Sequence, residues 1–169
     1  MIGWIDGTYG VGKTTVARIL EEKINSKVVF IDSDSYYLEF AQKYPYCTMF
    51  GGSLPQINKS YLNDFKKYIE QNIDNDMVIV MCLSTIECDE ILVKYFKEYT
   101  HKHYILCVGK DEFEKRIEVD GSHRDKGTAR FYYDTNSKYH DKYSEAIRIE
   151  TDGISPEEVA QKIISDMLW

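Results

Sequence analysis

The chain has 169 residues and a formal net charge of −7, a length that suits one domain and a charge that argues against a general nucleic-acid surface, which needs clustered Lys and Arg. With 43% hydrophobic and 29% charged residues the composition is that of a globular protein, and no stretch reaches the ~20 uncharged apolar residues of a membrane span. The four cysteines, Cys47, Cys82, Cys88 and Cys107, show no CxxC spacing, so a zinc site is not expected and a reduced, cytoplasmic setting is.

The first apolar run, Ile2 to Ile5, is followed by Asp6 and Gly7 and then by a helical pattern with Val16, Ile19, Leu20 and Ile24 on one face. This predicts strand, glycine turn, helix. Val28 to Ile31 predicts a second buried strand that runs into Asp32-Ser33-Asp34, and Tyr36 to Tyr44 a helix that Pro45 stops. Residues 45–56 contain Gly51-Gly52-Ser53 and two prolines and are predicted as a loop, after which Ile57, Tyr61, Leu62, Phe65, Tyr68 and Ile69 recur at helix spacing.

Met77 to Leu83 and Tyr104 to Val108 predict the third and fourth strands, with helices over 87–99 and from Asp111 onward. Residues 118–127, with two glycines and no apolar period, predict an excursion between helical stretches. Ala146 to Ile149 is the expected fifth strand. It leads to Ser155-Pro156-Glu157-Glu158, a capping box with Pro at the first helical position, and a helix burying Val159, Ile163, Ile164, Met167 and Leu168. Buried strands alternating with helices imply an α/β domain over residues 1–169, with a parallel sheet covered on both faces and ligands at the carboxyl ends of its strands.

Gly7-Thr-Tyr-Gly-Val-Gly-Lys-Thr14 matches GxxxxGK[ST], between a predicted strand and a predicted helix, where its mechanism requires it. The glycines let successive backbone N–H groups turn inward, and the helix adds the positive end of its dipole. Gly7, Gly10, Val11, Gly12, Lys13, Thr14 and Thr15 are thus the candidate ATP-binding set, with Lys13 on the phosphates and the Thr14 hydroxyl on Mg²⁺. A guanine motif of the Asn-Lys-x-Asp type is missing, since Asn58-Lys59 continues Ser60-Tyr61. The third strand runs into Ser84-Thr85 rather than into the acid of a hydrolytic motor.

With these segments the chain resembles the small-molecule kinase branch of P-loop proteins, which holds shikimate and gluconate kinases, chloramphenicol phosphotransferase and tunicamycin-resistance-type proteins. The residues that carry the resemblance are Trp4 to Thr15, Phe30-Ile-Asp-Ser-Asp-Ser35 and Glu150 to Glu158. Met1 to Thr15 and Val80 to Thr85 are most similar to the tunicamycin-resistance type.

The resemblance implies a P-loop fold with strand order 2-3-1-4-5 and a lid near 118–127. It also implies an ATP- and Mg²⁺-dependent phosphotransferase acting on a small-molecule hydroxyl, with Asp32 on the metal and Asp34 as the base. Arg124, Arg116 and Arg130 lie in or beside the lid. Arg124 is the first choice for the catalytic cation and Arg116 the second, because Arg116 has Glu112 four residues earlier as a helical partner. The stretch Thr151 to Pro156 matches the adenine contact.

Each assignment has a plainer counterpart. Asp32 or Ser33 could cap the following helix, the lid could be a solvated charged loop, and the capping box explains Ser155 and Pro156 without a ligand. Gly51 to Ser53 could be a simple turn, and Tyr132, Tyr133, Tyr139 and Tyr143 half-buried packing rather than an acceptor pocket. The four histidines, His101, His103, His123 and His140, show no metal spacing. An ATP-binding regulatory module without fast catalysis, and a nucleoside, nucleotide or nucleic-acid-end kinase, remain the alternative functions.

Overall fold

A computed structural model describes residues 1–24, 28–49, 58–119 and 126–167. Five strands form one sheet in the order β2-β3-β1-β4-β5: β1 Ile2–Gly7, β2 Val28–Asp32, β3 Asp76–Val80, β4 His101–Cys107 and β5 Ile147–Glu150. All four pairings are parallel, and β1 is central, with Ile5 opposite Val80 on one side and Tyr104 on the other. The helices are α1 Lys13–Lys23, α2 Ser33–Lys43, α3 Pro45–Met49, α4 Lys59–Gln71, α5 Ile86–Cys88, α6 Lys110–Val119, α7 Lys126–His140 and α8 Pro156–Met167.

Side chains of a strand alternate between faces, and the inner strands use both for burial. Ile2 and Trp4 of β1 join Met77 and Ile79 of β3 in one core, with Phe65 and Ile69 of α4 and Phe96. Ile5, Val78 and Val80 join the opposite core, with Leu20 of α1 and Ala160 and Ile163 of α8. The sheet therefore has helices on both faces, and every crossover brings a loop to the same carboxyl edge.

Several expected boundaries move. Tyr44 and Pro45 separate α2 from α3 instead of ending helical structure, because Pro is tolerated in a first helical turn, where its missing N–H has no partner to lose. Strand β3 stops at Val80. Met81 still donates to the Ile5 carbonyl at 3.1 Å, but the chain then turns and Leu83 donates to Asp6 instead.

The single helix expected over 87–99 is three pieces: α5, a π turn at Asp89–Val93 and a 3₁₀ turn at Tyr95–Glu98. Its buried residues are Cys88, Leu92 and Phe96, a strict spacing of four. That spacing puts the three on one face toward the core.

Candidate phosphoryl-transfer site

The cradle forms where β1 ends. Gly12 stands at φ 105° directly before α1, a left-handed backbone that an L side chain would strain, although nothing crowds the position. Gly7 is constrained by space as well: a Cβ there would sit 2.7 Å from the Leu106 carbonyl oxygen. Helix α1 opens with no side-chain cap and no acid in its first turn. By contrast, α2 is capped by Asp32, α4 by Asn58, and α8 by the reciprocal Ser155–Glu158 box. The first amides of α1 are thus left for an anion.

Lys13 folds back over the loop, donating from Nζ to the Gly7 carbonyl at 2.8 Å and to the Thr8 carbonyl at 3.0 Å. A flexible ammonium held by two loop carbonyls can swing to phosphate oxygens once they arrive. Thr14 and Asp32 come together from α1 and β2, lining one cleft of about 220 Å³ with Arg18, Glu21 and Ser35. A hydroxyl and a carboxylate are the hard oxygen donors that Mg²⁺ takes, and Mg²⁺ commonly uses only one or two protein ligands besides phosphate and water. The donor chemistry fits that ion. No group of three or more His, Cys, Asp or Glu placed to hold a metal ion is present among the described residues.

Asp32 does cap α2: its Oδ1 accepts from Asp34 N at 2.9 Å and from Ser35 N at 3.4 Å. Both capping bonds use one oxygen, so capping is compatible with a metal ligand on the other. The cap fixes the peptide of Asp34, whose side chain lies exposed in the first turn of α2. Neighbouring protein mass still covers part of that carboxyl and, by desolvating it in part, raises its pKa. The Asp32 charge adds to the shift, and Lys13 opposes it. Behind it, the buried Tyr61 of α4 donates to the Ser33 carbonyl at 2.7 Å and fixes the start of α2.

Arg116 is more committed than its sequence position suggests. It meets Glu112 at 3.0 Å, as the helical spacing implies. It also donates to the Val11 carbonyl at 3.2 Å, the Thr151 hydroxyl at 3.0 Å and the Thr151 carbonyl at 2.9 Å. It thereby clamps the glycine loop to Thr151 in the segment before α8, which itself begins at Pro156. Arg130 pairs with Glu114 and Glu118 across α6 and α7. Arg124, His123 and Gly51 to Ser53 lie outside the described residues, as does most of the 118–127 excursion.

The sequence pattern gave no sign of Asp6, the most buried charge at the site. No water reaches it. Its Oδ1 accepts from Gly7 N at 2.6 Å, Leu83 N at 3.1 Å and His140 Nε2 at 3.2 Å, and its Oδ2 from His103 Nε2 at 3.1 Å. Burial alone would raise its pKa, yet the hydrogen bonds and charges of the two imidazoles hold it well below the usual carboxylate range. Asp6 thus joins the phosphate loop to the turn after β3, to β4 and to α7. Asn136 on α7 donates to Cys82 Sγ at 3.1 Å and Tyr143 to the Leu83 carbonyl at 3.1 Å, reinforcing the same junction. Cys82 lies past the end of β3, and Cys107 is half-buried on β4.

No family model and no curated protein matches the sequence. Solved structures do match. A Deinococcus radiodurans tunicamycin resistance protein aligns at TM-score 0.69 and 18% identity over 98% of this chain and 94% of its own. A sugar kinase from Janibacter sp. aligns at TM-score 0.70 and 14% identity, over 97% and 92%. A shikimate kinase from Acinetobacter baumannii, solved with shikimate, aligns at 0.67 and 20%, over 99% and 92%. No helix among the described residues is long and apolar enough to cross a membrane. The strand order, the cradle and these neighbours together show that the chain has the fold of the P-loop small-molecule kinases.

Proposed function

We propose that the protein is an ATP- and Mg²⁺-dependent phosphotransferase that moves the γ-phosphate to a hydroxyl of a small molecule. The observation that carries this reading is the pairing of an uncapped, glycine-shaped helix start at the end of β1 with an exposed, proton-seeking Asp34 at the end of the neighbouring sheet half. Thr14 and Asp32 would hold the metal, which would supply positive charge to the phosphate oxygens. Lys13 exchanges its two loop carbonyls for phosphate oxygens. Asp34 accepts the proton of the attacking hydroxyl, a role for which a raised pKa is suited. Arg116 sets the spacing between phosphate loop and adenine segment, and Arg124 neutralises charge that spreads during transfer.

ATP consumption is measured with and without Mg²⁺ across nucleosides, sugars, hydroxy acids and hydroxyl-bearing antibiotics, with Asp34→Asn as control. One acceptor class stimulating the wild type and not the variant supports the assignment. ATP binding without stimulation by any class refutes it in favour of a regulatory nucleotide-binding module.

A further inference from the structure

We propose that Asp6, His103 and His140 form a proton-linked latch beneath the phosphate cradle, taking up a proton from solvent when an anionic nucleotide enters. This inference rests on the nucleotide-binding reading of the cradle and assigns a positioning role to three residues outside it.

The geometry is a chain of contacts. The ammonium of Lys13 is held by the Gly7 carbonyl, the amide of the same residue is held by Asp6, and Asp6 is held by imidazoles from β4 and α7. A carboxylate with no water contact must find its compensation within the protein. Two imidazoles that donate through Nε2 satisfy its hydrogen bonds in either protonation state, but they cancel its charge only when one of them is protonated. With both neutral, a net negative charge sits directly behind the cradle. An incoming polyphosphate then favours the protonated pair.

The other groups around the pair do not supply that charge. The Cys82 thiol is pushed up by burial and then by the Asp6 charge, so it stays neutral. Tyr143 packs edge-on against His103 with ring centroids 4.9 Å apart, and its hydroxyl is likewise pushed up by burial. His101 shares a small recess with Trp4 and His103. Arg148 donates to the His140 carbonyl at 2.9 Å and stands 3.7 Å from Asp141, a pairing that offsets its charge. Lys138 lines a cleft with His140, Asp141 and Arg148 and is exposed to solvent. The cradle's cation, Lys13, leaves its carbonyls for the ligand.

Linkage is reciprocal, so a proton taken up on binding means that nucleotide affinity falls as pH rises, by up to about tenfold per unit for one proton.

The test is calorimetric titration of wild-type protein with Mg·ADP in buffers of different ionisation enthalpy, whose slope gives the protons exchanged. Uptake of a fraction of a proton is expected, lost in His103→Asn/His140→Asn and in Asp6→Asn, which keeps the side-chain shape. No uptake by the wild type, or undiminished uptake in whichever variant folds, overturns the latch. Failure of Mg·ADP to bind at any pH refutes the nucleotide reading instead. Nitrogen-15 spectra of the imidazoles in the ligand-free protein then decide: His103 and His140 titrations displaced by Asp6→Asn support the latch, and unchanged titrations sink it.

Discussion

Replacing Asp6 by Ala is expected to cost the fold about 4 kcal/mol. The carboxylate serves four donors in a site without water: the amides of Gly7 and Leu83 and the Nε2 atoms of His103 and His140. A buried donor left unpaired costs about 1–3 kcal/mol, and the two amides cannot turn to solvent without opening the phosphate loop and the end of β3. Taking the low end of that range for each donor agrees with the roughly 3–5 kcal/mol lost when one partner of a buried ionic group is removed. For a chain of this size that corresponds to a fall in Tm of about 8–16 °C.

Asp6→Asn keeps one acceptor oxygen and should lose less than half as much. The sign with pH follows from the depressed carboxyl: its stabilisation is complete above about pH 4, where the unfolded carboxyl is already ionised, and is lost as pH falls toward the lower folded value. Urea unfolding followed by circular dichroism, with an unchanged m-value, measures the difference at pH 7. A loss under about 1 kcal/mol would refute the account of Asp6 as the junction of four elements.

Asp34→Asn should lower turnover by about 10²–10⁴-fold with nucleotide Kd nearly unchanged. It should also raise Tm, because a folded carboxyl whose pKa is raised is destabilising when ionised; equal Tm values in a pH 7 melt would contradict the shift. For the same reason the acid limb of the wild-type pH–rate profile should lie above the ordinary carboxylate range, since activity is lost as pH falls through the raised pKa of Asp34. Lys13→Ala should weaken ATP about 10–100-fold, the value of a charge-assisted hydrogen bond or two, and unchanged affinity by calorimetry would count against the cradle. Tyr61→Phe strips the Ser33 carbonyl of a buried partner at a cost of about 1–2 kcal/mol and should depress kcat more than KM; a change in KM alone would show that Tyr61 does not position Asp34.

Much of the fold was legible in the chain because its information is local. The inner strands are short apolar runs, Ser155 and Glu158 stand three apart as a capping box requires, and Gly7 to Thr14 sits between a strand and a helix whose periods can be read directly. The glycines mark backbone angles that other residues avoid, and that is a property of residue type. The Glu112–Arg116 pair was legible for the same reason, through the helical repeat.

What stayed hidden depends on packing between distant segments. No spacing along the chain relates Asp6 to His103 and His140, 97 and 134 residues away. They meet because β1 lies beside β4 in the sheet and the end of α7 brings His140 to Asp6. The breaking of the helix at 86–98 into α, π and 3₁₀ turns was also not marked by any Pro or Gly within it. The three bonds of Arg116 to Val11 and Thr151 likewise exist only because α6 packs between the phosphate loop and the segment before α8. Sequence alone determined where the glycine turn and the helix start after β1 form, because backbone turning is set residue by residue; tertiary structure decided which charges lie beneath them, because a buried carboxylate takes its partners from whatever the fold brings within hydrogen-bonding distance.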